Sequence, residues 1–375
     1  MTFATGVGVG RWSNQRQIVL EAVVLAGVTG RTLLLPPLTA CPSAPLAELF
    51  DFGALAAAGV DALPAADYVQ CAQAERVALA SGAASEEIGG VEFHMAGLPW
   101  RVQADFSGAV ATMPPPLAAY AAPGADPRDA PVYAALLPYA SARVVTPAHF
   151  GSAAMPAWLQ SYRPAAAAVA SCALLAHPFF AVNLAALPGA FEAAVRALQP
   201  APWLAQAASA WLAHHALAPH RLVAVHVRLT DMANDVWSPF AAACVRDARG
   251  DAASPGAVPG LAALSAFLSE RALESLPVVV ASDDLSSPCA QAVLAHFSAR
   301  TRVVVLRELR EEDAPGLQLA ISGHAPDDCS AFSFMHEILA QSAAFIGMRS
   351  STFSAAVHQI RELRHGHANS TLLLD

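Results

Sequence analysis

Residues 224–228 read "AVHVR", and His226 and Arg228 stand two apart on a predicted strand. Alternate residues of a strand share a face, so the imidazole and the guanidinium project to the same side. They close the strand at its C-terminal end, the edge at which open α/β sheets hold ligands. The chemistry available to such a pair is anion recognition, a forked cation beside a neutral donor or acceptor. A core histidine next to a surface arginine is the plain alternative. An arginine on a buried strand still needs an anion or a carboxylate, because burying it unpaired is costly, and that favours a ligand role.

A second candidate lies at the beginning of the chain, "GVGVGRWSNQRQIVL" over residues 6–20. Gly6, Gly8 and Gly10 allow close backbone approach, and Arg11 and Asn14 adjoin the start of an apolar helical pattern, so a phosphate or a sugar nucleotide fits the turn. A simple tight turn fits it too. The dinucleotide fingerprint fails, because Arg11 stands where its third glycine is required and the next strand, "RTLLLPPL", ends without an acidic residue. The phosphate loop with a GK[ST] signature fails as well, since all 21 basic residues are arginine.

Two further strand ends repeat the pattern. "PVVVASDD" delivers Asp283 and Asp284 to a strand edge, with capping of the next helix by Ser286 or Ser287 as the alternative to ligand contact. "FIGMRSSTFSAAVHQIR" runs from a strand through a short loop into a helix opened by Ser350, Ser351 and Thr352, hydroxyls and free N–H groups suited to a diphosphate, or else an ordinary serine cap. No two aspartates lie two apart, so the chain lacks the acidic pair that commonly holds manganese in glycosyl transfer, and no metal site is expected. His365-Gly366-His367 has metal-ligand residue types but reads as a tail pair.

These residues need a scaffold of alternating strands and helices. "TFATGVGV" reads as a strand, "NQRQIVLEAVVLAGVTG" as a helix capped by Asn14 with Gln17 in a capping box and left at Gly27 and Gly30, and "RTLLLPP" as the next strand. Residues 40–160 read as loops between short helices. Strands return as "RLVAVHVRL", "LPVVVASDD", "TRVVVLREL" and "AAFIGM", separated by helical patterns, which implies parallel, doubly wound sheets. The boundary is placed at residues 216–217, giving domains 1–216 and 217–375.

At 375 residues the chain can form two such domains. Its net charge of −9 argues against a nucleic-acid partner. The six cysteines show no CxxC spacing and permit disulfides without requiring them. The first residues lack the charged and apolar regions of a signal peptide. The stretch from Pro164 to Phe191, almost free of charge, is long enough to span a bilayer, but Pro178, Asn183, Pro188 and its alanines read as a buried helix pair, so no membrane span is expected.

"GVGRWSNQ", "RTLLLPP", "VHVR", "VVVASDD" and "FIGMRSSTFSAAVHQIR" occur in the order seen in GDP-fucose protein O-fucosyltransferases, and the sequence resembles that family over residues 6–37 and 219–361. The resemblance implies an α/β GT-B fold, two facing Rossmann-like domains with parallel sheets, the C-terminal one holding GDP-fucose. It implies inverting, metal-independent transfer of fucose to a Ser or Thr hydroxyl of a protein, or to a glycan, without a further cofactor. Arg228 and Asn14 become the catalytic residues, Arg228 on the β-phosphate. Gly10, Arg11, His226, Asp283, Ser351, Thr352 and Phe353 become the nucleotide-sugar contacts. The resemblance also implies the lumen of the endoplasmic reticulum or Golgi. A related transferase with another donor, and a sugar-nucleotide-binding protein without activity, are the competing readings.

Overall fold

The computed structural model describes residues 2–5, 12–30, 32–35, 46–64, 92–94, 143–145, 172–175, 187–228, 261–306, 328–349 and 351–374. The chain divides into two compact units, residues 1–201 with 327–329, and residues 202–326 with 330–375.

The first unit is built on a six-stranded sheet in the order β3-β2-β1-β6-β4-β5. Its strands are β1 (Thr2–Thr5), β2 (Thr32–Leu35), β3 (Ala62–Pro64), β4 (Glu92–His94), β5 (Arg143–Val145) and β6 (Cys172–Leu175), and every pairing is parallel. Helix α1 (Trp12–Thr29) connects β1 to β2, whose register sets Thr2 against Thr32, so the expected opening βαβ unit is present. Gly30, at φ 66°, takes the left-handed conformation that ends this helix, whereas Gly27 lies inside it. The helix begins at Trp12, which makes Asn14 its third residue and not the cap that the sequence suggested. Gln17 is no partner in a capping box either; its amide donates to Glu21 Oε1 at 3.2 Å, one turn along. Helix α2 (Phe52–Ala57) is capped by the Asp51 carboxylate on Ala54 N, and helix α3 (Pro188–Ala197) packs on α1.

Two sequence expectations are corrected in this unit. Residues 40–160 supply three strands of the sheet, each three residues long and so too short to leave a period-2 pattern. The apolar stretch 164–191 contains β6, inserted between β1 and β4, where a helix pair was expected. An interior strand of a parallel sheet needs no polar alternation, so its sequence cannot be told from a buried helix by periodicity. Among the described residues no helix is long and apolar enough to cross a membrane.

The second unit starts at Pro202, ahead of helix α4 (Pro202–His214), and not at residue 217. The Trp211 ring of α4 meets Phe334 of helix α7 (Asp328–Ala340) edge-on at 6.5 Å, and this tertiary contact takes α4 into the C-terminal core. Its sheet has five parallel strands in the order β11-β10-β7-β8-β9: β7 (Val223–Val227), β8 (Val278–Ser282), β9 (Val303–Leu306), β10 (Ala344–Met348) and β11 (Thr371–Leu374). The four strands expected from "VAVHV", "VVVAS", "VVVL" and "AFIGM" are all found, while β11, "TLLL", was not foreseen.

Helices α5 (Leu261–Ser269), α6 (Pro288–Ser298), α7 and α8 (Thr352–His365) lie between successive strands. Val223, Val225, Val227, Val278, Val280 and Ile346 pack with Leu264 and Phe267 of α5 and Val293 and Phe297 of α6. All residues of β7 and β10 are buried, as both faces of a parallel sheet must be covered. Arg361 of α8, fully buried and pushed down to about 10 by desolvation, bonds Ser342 Oγ at 2.6 Å, Ala343 O at 3.2 Å and Ser370 Oγ at 2.5 Å. It thereby ties the entry of β10 to the entry of β11. Gly366, at φ 72°, caps α8 in the left-handed conformation, and His367 Nε2 lies 3.0 Å from His220 Nδ1, so the tail pair is packed in the fold. Cys289 and Cys329 are both disulfide-bonded.

Gly347 marks a close approach of α8 to the sheet. A Cβ at this position would fall 2.7 Å from Phe345 Cε1 and 2.8 Å from Ser354 Oγ, and both of those residues are fully buried. Gly347→Ala is expected to cost about 1–3 kcal/mol of overpacking, read as a lowered urea midpoint, and an unchanged midpoint would show that the seam has room to give.

Candidate functional site

In the order β11-β10-β7-β8-β9 the connections leave β7 toward β8 and β9 and return on its other side as β10 and β11. The reversal falls between β7 and β10, and the crevice outside the carboxyl ends of such neighbours is where doubly wound sheets take ligands. His226 is the penultimate residue of β7, Arg228 follows the strand, and the loop after β10 leads into α8. A backbone-to-side-chain bond links the two strand ends, for Arg228 N–H donates to Met348 Sδ at 3.0 Å.

His226 is buried, 7% exposed, on a strand otherwise made of Val and Ala. Its Nδ1 lies 2.8 Å from Ser354 Oγ of α8, and Met348 N–H donates to the same Oγ at 3.0 Å. The imidazole stacks on Phe353 at 4.3 Å between ring centroids with 27° between planes. Phe353 also meets His336 at 4.3 Å and Phe332 at 6.2 Å. Burial pushes His226 down to about 3, opposed by the charge of Asp283 and reinforced by that of Arg228. The imidazole is therefore neutral at neutral pH, and it shares its field with one carboxylate and one guanidinium.

Asp283 is exposed just beyond β8, within electrostatic reach of His226. Its neighbour Asp284 has a different task. The Ser286 hydroxyl donates to Asp284 Oδ1 at 2.6 Å and holds that carboxyl below its usual range, and Ser286 N–H donates to the same oxygen at 3.0 Å. Ser287 then caps α6 by accepting from Ala290 N at 3.1 Å. Of the two readings of "SDDLSS", the turn-and-cap reading holds for Asp284, Ser286 and Ser287, while the charge of Asp283 is felt at His226.

At the start of α8 the Ser351 hydroxyl accepts from Ser354 N at 3.4 Å, an ordinary cap, and Ser351 is buried. Thr352, the first helical residue, is half-buried. Phe353 is buried and meets the site through His226, so its ring shapes the wall behind the imidazole. Asn14 belongs to the first unit, half-buried in the first turn of α1. Gly10 and Arg11 lie outside the described residues, as does Ser350. Among the described residues no group of three or more His, Cys, Asp or Glu has the arrangement to hold a metal ion.

The sequence reading passed over Ser354, Met348 and Gly347. A Ser351 cap predicts a bond to the N–H three residues on, so Ser354 was reachable as a backbone partner. Its side-chain contact with His226 spans 128 residues and leaves no local signal.

Keeping a histidine neutral in the folded state makes stability depend on pH. The unfolded chain takes up a proton near pH 6.5, the folded one only near 3, so the stability is fully present above 6.5 and is lost as the pH falls toward 3. Urea melts of wild type and His226→Asn between pH 7 and 4 isolate this contribution. The gap between the two proteins is expected to narrow on acidification, and a gap independent of pH would contradict the buried neutral imidazole.

No protein-family model matches the sequence, and no curated protein matches it. Solved structures do. POFUT1 in complex with GDP-fucose is 17% identical with a TM-score of 0.53, covering 99% of this chain and 97% of that one. The apo form of POFUT1 is 15% identical with a TM-score of 0.53, covering 100% and 97%. POFUT1 in complex with GDP is 14% identical with a TM-score of 0.51, covering 99% and 98%. The likeness extends over the whole chain, and the α/β GT-B fold class expected from the sequence is the one observed.

Proposed function

We propose that this protein is a glycosyltransferase that moves fucose from GDP-fucose to an acceptor hydroxyl. The observation that carries the reading is the group at the β7–β10 reversal, His226, Arg228 and the start of α8, in a chain whose fold is that of a protein solved with GDP-fucose bound. The start of α8 offers backbone N–H groups and the positive end of a helix to a diphosphate. Arg228 adds a permanent charge in a fork that matches phosphate oxygens. Charge develops on the β-phosphate as the sugar–oxygen bond breaks, and a donor already aimed there acts most strongly in the transition state.

The remaining assignments follow the resemblance. By that resemblance Asn14, Gly10 and Arg11 are further candidates to act on the reacting groups. Asn14 carries no basic group, so its part is to orient by hydrogen bonding and not to accept the acceptor's proton. Asp283, Ser351, Thr352 and Phe353 complete the nucleotide side, Phe353 through the imidazole that it supports. The proposed transfer is inverting and independent of metal, since arginine takes the place of the missing acidic pair, and the proposed acceptor is a Ser or Thr hydroxyl of a protein. The disulfide-bonded Cys289 and Cys329 support a lumenal, oxidising location of the endoplasmic reticulum or Golgi kind.

Purified protein supplied with GDP-fucose should bind GDP and release it on turnover. Binding with no release for any Ser- or Thr-bearing peptide or any glycan would identify a sugar-nucleotide-binding protein instead. Turnover is expected to survive EDTA, and loss restored by manganese would remove Arg228 from the role given to it.

Arg228→Ala is expected to lower turnover by about a hundred- to a thousandfold, or roughly 3–4 kcal/mol at the transition state. Its circular-dichroism melt should match wild type, and Arg228→Lys should restore only part of the rate. A variant that melts early with no selective loss of activity would make Arg228 a structural ion-pair residue.

A further inference from the structure

His226 can carry its single proton on either ring nitrogen, and the two tautomers present opposite faces to a ligand. With hydrogen on Nε2 the edge away from Ser354 is a donor, suited to a phosphate or hydroxyl oxygen; with hydrogen on Nδ1 it is a lone pair, which repels one. The choice is made behind the ring, at Ser354.

The Ser354 hydroxyl has one hydrogen to give and two lone pairs to fill. Met348 N–H occupies one lone pair at 3.0 Å. Its other partner among the described residues is His226 Nδ1 at 2.8 Å. If Nδ1 carried hydrogen it would donate to the second lone pair, and the hydroxyl hydrogen would be left with no acceptor in a fully buried side chain. A stranded buried donor is costly. If Nδ1 is bare, the hydroxyl donates to it and each group is satisfied. Phe353, stacked at 4.3 Å, packs against the face of the ring and so opposes its turning over.

We infer that Ser354 is a positioning residue that fixes His226 as the Nε2–H tautomer, so that the edge facing the β7–β10 crevice is a hydrogen-bond donor. Gly347 and Met348 are the other parts of the device. Gly347 lets the hydroxyl reach the strand, where a Cβ would lie 2.8 Å from Ser354 Oγ, and Met348 N–H orients it by filling the competing lone pair. The tautomer follows from these contacts alone. That the donor meets an oxygen of GDP rests on the proposed function.

Selective ¹⁵N-histidine labelling with two-bond ¹⁵N–¹H correlation spectra of the full chain reports the tautomer, and His226→Gln identifies the signal. Wild-type protein is expected to show a bare Nδ1 and a protonated Nε2. Ser354→Ala should bring in the Nδ1–H pattern, and Ser354→Cys, which keeps the volume with a weaker donor, should lie between the two. Halving the binding-competent tautomer raises the apparent Kd about twofold, so GDP titrations of Ser354→Ala should show at least that loss.

A wild-type Nδ1–H pattern overturns the inference, and so does an unaltered Nε2–H pattern in folded Ser354→Ala. If Ser354→Ala does not fold, the wild-type spectrum still decides. A wild-type Nε2–H pattern in a protein that binds no GDP would uphold Ser354 while overturning the nucleotide reading.

Discussion

The hydroxyl of Ser354 joins three elements that are far apart in the chain: the backbone at the end of β10, the imidazole on β7 and the first turn of α8. A polar ring inside a parallel sheet has to find its hydrogen bond in the layer that covers it, because neighbouring strands have already committed their backbone groups to one another. Ser354 supplies that bond only because Gly347 has no side chain to hold the helix off the strand. The same contact ties the first turn of α8 to the ends of β7 and β10.

The site gathers charge without burying all of it. His226 is kept neutral by desolvation, Asp283 stays exposed, and Arg228 stands half-buried just beyond the last strand residue. Such a gradient runs from a dry, neutral ring to charges that keep part of their hydration, so that none of the charge is buried outright. A deeper arginine of this unit, Arg361, shows the contrasting solution. Its guanidinium is spent on carbonyl and hydroxyl oxygens at the entries of β10 and β11, and it works as a structural clamp.

Much of the C-terminal unit was legible in the sequence. Val-rich runs closed by turn residues gave four of its five strands, and His226 was read correctly onto one of them, whereas Arg228, expected on the same strand, lies one residue beyond its end. "TLLL" at the end was missed because three leucines after a threonine are too short to carry a period. The N-terminal unit was legible only at its opening βαβ step. Beyond that step its strands are three or four residues long and widely separated, and their hydrogen bonds run to partners that local pattern cannot name.

Residue type and local order by themselves determined that polar and charged groups stand at strand ends and helix starts, because these follow from periodicities of two and 3.6 and from the chemistry of the side chains. Only the tertiary structure decided what each polar residue does there. It made Asp284 a turn former, it spent Ser351 on a cap, and it brought Ser354 to a histidine 128 residues away. A hydrogen bond over that separation depends on which strands are neighbours, and strand order is set by the packing of the whole sheet.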